Sequence, residues 1–157
     1  MPSHLFAEDR TASSPAFISS SPSQETQALS LTGKRAVIAE DEGITQLQLA
    51  RILRSQGIQV VGTASNGKEA VEFVLHAHPD FVLMDIHMPV MDGLEATQRI
   101  LAEYPVCIVM LTAFSDEVYR QRAEALGTCG YILKPITVET LMPELKAAYH
   151  KFHQSTA

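Results

Sequence analysis

Five polar side chains with complementary chemistry each follow a short apolar run in this chain of 157 residues. They are three carboxylates, one hydroxyl and one ammonium, at Glu40, Asp41, Asp85, Thr112 and Lys134. Two carboxylates held ~4 Å apart repel by about 4 kcal/mol at an effective dielectric near 20. A group of acids therefore needs a cation or a lysine to balance it. Carboxylate oxygens suit Mg²⁺, and a lysine supplies a compact positive charge for an anionic group.

The apolar runs have the length and composition of strands buried on both faces. They are rich in Val, Ile and aromatic residues and cover residues 36–39, 60–62, 81–84, 106–111 and 131–133. Segments of helical period lie between and after them, at about residues 44–53, 70–77, 93–103, 116–126 and 138–152. This βαβαβαβαβα order predicts an α/β fold, with a parallel sheet covered by helices on both faces.

The five polar residues are predicted to meet at one edge of that sheet. In an open parallel sheet, ligands bind beyond the carboxyl ends of the strands, and each of these residues ends or follows a strand. Taken singly, Asp41 could be a helix N-cap, Thr112 a loop cap and Lys134 a solvated lysine at a turn. Their joint placement favours a shared site.

Bulk properties narrow the class of protein. An apolar fraction of 46% and a charged fraction of 19% are typical of a globular domain, and a net charge of −6 argues against a nucleic-acid-binding surface. No apolar run approaches the ~20 residues that span a bilayer, and the start of the chain lacks the pattern of a signal peptide. The cytoplasm is the expected compartment.

A change of composition divides the chain. Residues 1–32 are rich in Ser and Pro without apolar periodicity, which predicts a flexible tail. We expect one domain over residues 33–153 and a short C-terminal tail at residues 154–157.

Four separated blocks resemble the signatures of two-component response-regulator receivers. They are AEDE at residues 39–42, DFVLMDIHMPVMDG at 80–93, LTA at 111–113 and GYILKP at 130–135. The blocks have the order and spacing of that family, and the resemblance covers residues 34–152. It implies a flavodoxin-like (βα)5 doubly wound parallel sheet with strand order 2-1-3-4-5.

The resemblance also implies a role for each site residue. Asp85 would accept a phosphoryl group, with Thr112 and Lys134 as its catalytic partners. The expected Mg²⁺ ligands are the side chains of Glu40, Asp41 and Asp85 and the backbone carbonyl of His87. The peptide bond between Lys134 and Pro135 is expected to be cis.

A switch and its partners follow from the same resemblance. After phosphorylation Thr112 would move inward and Tyr131, at the position of the switch aromatic, would fill the space it leaves. The surface of the fourth helix, fifth strand and fifth helix would then bind a downstream protein or serve a relay. His87 and Phe114 would border the path of attacking water, with the bulky Phe slowing hydrolysis.

The implied protein is a single-domain signalling switch and not an enzyme, since it would catalyse only its own phosphorylation and dephosphorylation. The expected donor is a sensor histidine kinase or a histidine phosphotransfer protein. No nucleic acid or membrane is expected as a partner, and the expected state is a monomer or a weak homodimer.

Three other functions match the sequence less well. A non-catalytic adaptor would lack an acid or the lysine, and none is missing. A dehalogenase-type phosphatase needs a second acid two residues after its nucleophile, where this chain has His87. An RNA-binding antiterminator would carry a helical RNA-binding output, for which the chain is expected to be too short, and a basic patch, which the sequence lacks.

The two cysteines form a separate feature. In the family topology Cys107 and Cys129 would be near neighbours on adjacent strands, where a reduced pair is expected and a redox role is the alternative.

Overall fold

The computed structural model describes residues 30–113 and 115–156. The flexible tail expected at residues 1–32 lies outside the described residues as far as residue 29, and so does Phe114. Within the described ranges, no helix combines the length and the apolar character needed to cross a membrane.

In the part of the chain that the structure describes, five strands alternate with five helices. The strands are β1 (Arg35–Ala39), β2 (Gln59–Ala64), β3 (Phe81–Asp85), β4 (Cys107–Thr112) and β5 (Gly130–Leu133). The helices are α1 (Gly43–Ser55), α2 (Gly67–Ala77), α3 (Gly93–Leu101), α4 (Glu117–Leu126) and α5 (Val138–Thr156). The alternation read from the sequence is confirmed.

All strands pair in parallel, in the order β2-β1-β3-β4-β5. This is the order expected of a flavodoxin-like sheet, so the predicted topology is also confirmed. The register aligns the carboxyl ends of the central strands, since Ala39 lies beside Met84 and Asp85 beside Leu111. Residues that follow β1, β3 and β4 therefore share one edge of the sheet.

The hydrophobic core forms two layers, one on each face of the sheet. Ile38, Leu83 and Val109 pack into the layer that also contains apolar residues of α1 and α5. Their chain neighbours pack into the opposite layer, with residues of α2, α3 and α4. Alternation of side chains along a strand explains this division. Helices cover both faces of the sheet, which is why the three central strands are continuous apolar runs in the sequence.

Two boundaries differ from the sequence-based expectation. Leu31 is 4% exposed and packs in the core, so the folded part begins within the segment expected to be tail; one apolar residue after a serine-rich stretch gives no periodic signal. Helix α5 continues to Thr156, four residues beyond the expected end at Phe152. Phe152 packs against the core, and neither Gly nor Pro follows it to stop the helix.

Candidate functional site

Three carboxylates lie together at the carboxyl edge of the sheet. Glu40 and Asp41 directly follow β1, and Asp85 is the last residue of β3. Glu40 is fully buried and Asp85 is 4% exposed, whereas Asp41 is exposed. One side-chain oxygen from each lies within 4.8 Å of the others. Two of the acids are thus held in the protein interior, because they continue strands that are buried on both faces.

Lys134 brings a positive charge to this group. It follows β5, and its peptide bond to Pro135 is cis, as expected. Its Nζ lies 2.6 Å from Oε1 of Glu40 and 3.3 Å from Oδ2 of Asp85. The backbone holds the lysine in place, since its N–H donates a hydrogen bond of 2.8 Å to the carbonyl of Thr112. One ammonium therefore contacts both buried carboxylates.

The electrostatics of the group are strained. Burial raises the pKa of Glu40 above its ordinary value, although contact with Lys134 and the backbone N–H of Glu42 lower it. Burial also raises the pKa of Asp85, against the opposing charge of Lys134. Burial alone would lower the pKa of Lys134, but the two acids outweigh it, so the net direction is upward. One lysine does not fully balance the acids.

The donor set fits a hard divalent cation. Three carboxylate oxygens are close enough to bind one ion, and oxygen ligands are what Mg²⁺ prefers. Oε1 of Glu40 is buried, and among the described residues it has no partner of hydrogen-bonding geometry. Its contact with the Lys134 ammonium, 2.6 Å long, is an ion pair. A buried oxygen with lone pairs to spare is what a cation site requires.

Asp41 does not cap the first helix. The N-cap of α1 is Glu42, which makes no side-chain cap hydrogen bond. The simpler explanation of Asp41 as a helix cap therefore has no support in the geometry. Its carboxylate contributes to the acidic group instead.

Thr112 and Tyr131 lie on the neighbouring strands β4 and β5. Thr112 ends β4 and is fully buried, while Tyr131 is half-buried in β5. A side-chain hydrogen bond joins Tyr131 to Thr112; it lowers the phenol pKa, which burial raises by more. The guanidinium of Arg120 on α4 lies 5.5 Å from the Tyr131 ring centroid. The hydroxyl at the site is thus in contact with an aromatic ring next to α4.

His87 lies at the mouth of the site, two residues after Asp85. Its backbone N–H donates to Oδ1 of Asp85 over 3.4 Å. The exposed imidazole stands edge-on to the ring of Tyr119 on α4, with centroids 5.0 Å apart. Its carbonyl remains a predicted metal ligand, and the predicted effect of Phe114 on hydrolysis falls outside the described residues.

Two glycines with no role assigned from the sequence shape the loop after β3. A Cβ on Gly93 would lie 2.1 Å from the carbonyl oxygen of Asp85, and one on Gly67 would lie 2.2 Å from the carbonyl oxygen of Met91. Both contacts are shorter than any side chain tolerates. The place of Gly93 directly after Asp92, at the start of a predicted helix, could have indicated such a contact. Nothing in the sequence around Gly67 indicates one.

The role of Gln46 is a further contact that the sequence does not predict. Its side-chain amide donates to the carbonyls of Glu40 and Ala64, over 2.9 and 3.2 Å. It thereby fixes the backbone of the β1–α1 loop that carries Glu40. A single glutamine in an amphipathic helix carries no signal of such a contact.

This arrangement of acids, hydroxyl and lysine agrees with a family match. The profile described as the response regulator receiver domain matches residues 36–146. The chain belongs to the response regulator receiver family. Receivers of this kind are signalling domains of two-component systems. The resemblance inferred from the four sequence blocks is thus confirmed.

Relatives and solved structures of this receiver agree with the assignment. It is 39% identical over 132 residues to the transcriptional regulatory protein PdtaR of Mycobacterium tuberculosis, an alignment that covers 84% of this chain and 64% of PdtaR. The receiver therefore spans less than two thirds of that relative. The response regulator domain of Thermotoga maritima CheB is 31% identical, with a TM-score of 0.67 over 77% of this chain and 94% of that one.

A third comparison is with a complex. The crystal structure of the CheX–CheY–BeF₃–Mg²⁺ complex from Borrelia burgdorferi contains a chain that is 26% identical to this receiver. The TM-score is 0.72 over 75% of this receiver and 90% of that chain.

Proposed function

We propose that this receiver accepts a phosphoryl group onto Asp85 in a reaction that requires Mg²⁺, and that phosphorylation changes a surface read by another protein. The donor is a phosphohistidine on a sensor histidine kinase or a phosphotransfer protein, and the compartment is the cytoplasm. The observation that carries the proposal is the contact of one lysine with two buried carboxylates, within a group of three acids.

The chain's own residues account for most of the chemistry. The Asp85 carboxylate attacks phosphorus, the P–N bond to the donor imidazole breaks, and an acyl phosphate forms. Lys134 is close enough to Asp85 to pair with an oxygen of the transferred group, and the Thr112 hydroxyl would hydrogen-bond another. Glu40, Asp41 and Asp85, with the carbonyl of His87, would hold Mg²⁺. When bound, the cation neutralises charge on the phosphoryl oxygens.

The contacts of Thr112 support a route from phosphorylation to the protein surface. Its partner Tyr131 lies beneath Arg120 of α4. A dianionic group that draws the hydroxyl of Thr112 must rearrange its bond with Tyr131. We propose that α4, β5 and α5 form the surface that then changes, for partner binding or relay.

The first turns of α1 supply a surface suited to the donor. Ile44 and Leu47 are 72% and 66% exposed, which is unusual for large apolar side chains beside a polar site. A groove of about 490 Å³ is lined by Thr45 and Gln48, the chain neighbours of Ile44 and Leu47, and across from α1 by residues that include Lys134, Pro135 and Ile136. We propose that the donor protein covers Ile44 and Leu47 when it presents its phosphohistidine.

The experiment compares two phosphoryl donors in the presence and absence of Mg²⁺. Incubation with acetyl phosphate and with an autophosphorylated histidine kinase, followed by mass measurement, reports uptake on the receiver. We expect uptake by the wild type that stops with EDTA and in Asp85→Asn. The matched control is Asp92→Asn, since Asp92 is exposed and asparagine caps a helix as well as aspartate does; it should retain uptake.

A separate variant tests the proposed docking surface for the donor protein. Leu47→Ala should slow transfer from the kinase about tenfold, as expected for loss of a contact worth ~1.4 kcal/mol, and leave uptake from acetyl phosphate unchanged. Uptake by Asp85→Asn equal to that of the wild type would refute the acceptor. Equal kinase rates for Leu47→Ala and the wild type would refute only the docking surface.

A further inference from the structure

The two cysteines of this receiver lie side by side, away from the acidic site. Cys107 is the first residue of β4, and Cys129 directly precedes β5, the neighbouring strand. The N–H of Cys129 donates 2.9 Å to the carbonyl of Ile108, the residue after Cys107. Both side chains belong to the core layer beneath α1 and α5. The register pairs Val109 with Gly130, so Cys129 is level with Ile108, one residue beyond Cys107. A strand spacing of about 4.8 Å and a rise of about 3.3 Å per residue then put the two Cα atoms roughly 6 Å apart, within the range that a disulfide spans.

The two thiols differ in exposure and acidity. Both are reduced; Cys107 is buried and Cys129 is half-buried. A hydrogen bond with Cys107 lowers the pKa of Cys129 to about 7, helped by the charge of Lys151 and opposed by burial. The same hydrogen bond, together with burial, raises the pKa of Cys107. One thiol is therefore the better nucleophile, and its neighbour holds the proton.

We propose that Cys129 and Cys107 form a peroxide-reactive thiol pair, in which Cys129 is oxidised first and Cys107 then closes a disulfide. Its substrate class is a hydroperoxide, with hydrogen peroxide as the simplest member. This site goes beyond the proposed phosphoryl transfer and does not depend on it.

The two steps balance with peroxide as the only oxidant. The Cys129 thiolate attacks one peroxide oxygen, the O–O bond breaks, hydroxide leaves, and a sulfenic acid forms. Cys107 gives its proton to that hydroxide and its sulfur attacks the sulfur of Cys129. The S–O bond breaks, an S–S bond forms, and the departing hydroxide takes up from solvent the proton that the Cys129 thiol released on ionising. The pair of thiols loses two electrons, and the peroxide is reduced to water.

The thiol pair and the acidic site lie toward opposite ends of β4 and β5. Cys107 and Cys129 each lie five residues before Thr112 and Lys134 respectively, which is roughly 16 Å along a strand. Oxidation therefore needs neither Mg²⁺ nor Asp85. A disulfide would join β4 and β5 near their amino ends.

The test uses the full chain treated with hydrogen peroxide, followed by denaturation, thiol alkylation and mass measurement. We expect the wild type to lose both thiols together and to form the Cys107–Cys129 disulfide within one chain. Cys107→Ala should react more slowly, because it lacks the hydrogen bond that favours the Cys129 thiolate, and should accumulate a sulfenic acid on Cys129 that dimedone traps. Cys129→Ser should leave Cys107 unreacted at the same peroxide concentration.

A pH profile separates this mechanism from simple exposure of one thiol. The rate of iodoacetamide alkylation of Cys129 should have a midpoint near pH 7 in the wild type, and Cys107→Ala should move that midpoint upward because it removes the hydrogen bond. An unchanged midpoint would overturn the proposed coupling. Disulfides formed only between chains, or faster oxidation of Cys107 than of Cys129, would overturn the pair. The wild-type arm needs no substitution, so a variant that fails to fold leaves the test decisive.

Discussion

Replacement of Asp85 by asparagine is expected to stabilise the protein when Mg²⁺ is absent. Lys134 lies 3.3 Å from Asp85, an attraction of about 5 kcal/mol at an effective dielectric near 20. Glu40 and Asp41 place oxygens within 4.8 Å, and each repels the Asp85 carboxylate by about 3.5 kcal/mol at that distance and dielectric. Repulsion therefore exceeds attraction by about 2 kcal/mol before the cost of burying the charge is added.

Two considerations set the size of the effect. Asp41 is exposed, so water screens its share of the repulsion. Burial works in the other direction and is the largest cause of the raised pKa of Asp85. Asparagine has nearly the same shape and no charge, and we expect it to increase the free energy of unfolding by about 1–2 kcal/mol. Each kcal/mol corresponds to a rise in Tm of roughly 4 °C for a domain of this size.

The assay is urea denaturation at neutral pH in EDTA, repeated with excess Mg²⁺. At ten times its dissociation constant, Mg²⁺ should stabilise the wild type by about 1.4 kcal/mol and Asp85→Asn by much less. Glu103→Gln is a control, because Glu103 is exposed and far along the chain from the acids. Lower stability of Asp85→Asn than of the wild type in EDTA, with the control unchanged, would refute the calculated balance of charges.

Two further outcomes test the same site. The pKa of Asp85 is raised on folding, so its contribution to stability is complete below pH 3.8, its ordinary value, and is lost as the pH rises through the folded pKa. The difference in unfolding free energy between Asp85→Asn and the wild type in EDTA should therefore grow from pH 4 to pH 7. A difference that shrinks over this range in denaturation curves would contradict this. Gly93→Ala places a Cβ 2.1 Å from the Asp85 carbonyl oxygen and should lower the free energy of unfolding by about 3 kcal/mol. Gly43→Ala has open space around its Cβ and should raise the free energy of unfolding by about 0.5 kcal/mol. Equal melting temperatures of the two variants in calorimetry would show that the loop tolerates a side chain at Gly93.

The sequence predicted the sheet because its strands are buried on both faces. Runs such as 81–84 and 106–111 have no polar residue until they reach the edge of the sheet, so the end of each run marked Asp85 and Thr112. The convergence of Glu40, Asp85 and Lys134 followed from parallel topology alone. These inferences needed only local composition and the rules of chain connection.

Contacts made by backbone atoms and single side chains could not be predicted in the same way. The amide of Gln46 reaches the carbonyl of Glu40, just after β1, and that of Ala64, at the end of β2, and Gly67 touches the loop after β3. Neither contact has a periodic or compositional signature. The burial of Leu31 was missed for the same reason, since one apolar residue outside a pattern carries no information about what it packs against.

The uneven exposure of the three acids has a consequence for how such a protein can diverge. Glu40 and Asp85 are buried against one lysine, so a substitution of either would alter the interior and the free energy of unfolding together with the affinity for the proposed ion. Asp41 is exposed, and a substitution there would change that affinity without altering the packing of the interior. We therefore expect natural variation or engineering at the outward-facing acid to adjust the proposed magnesium affinity with the smallest effect on folding.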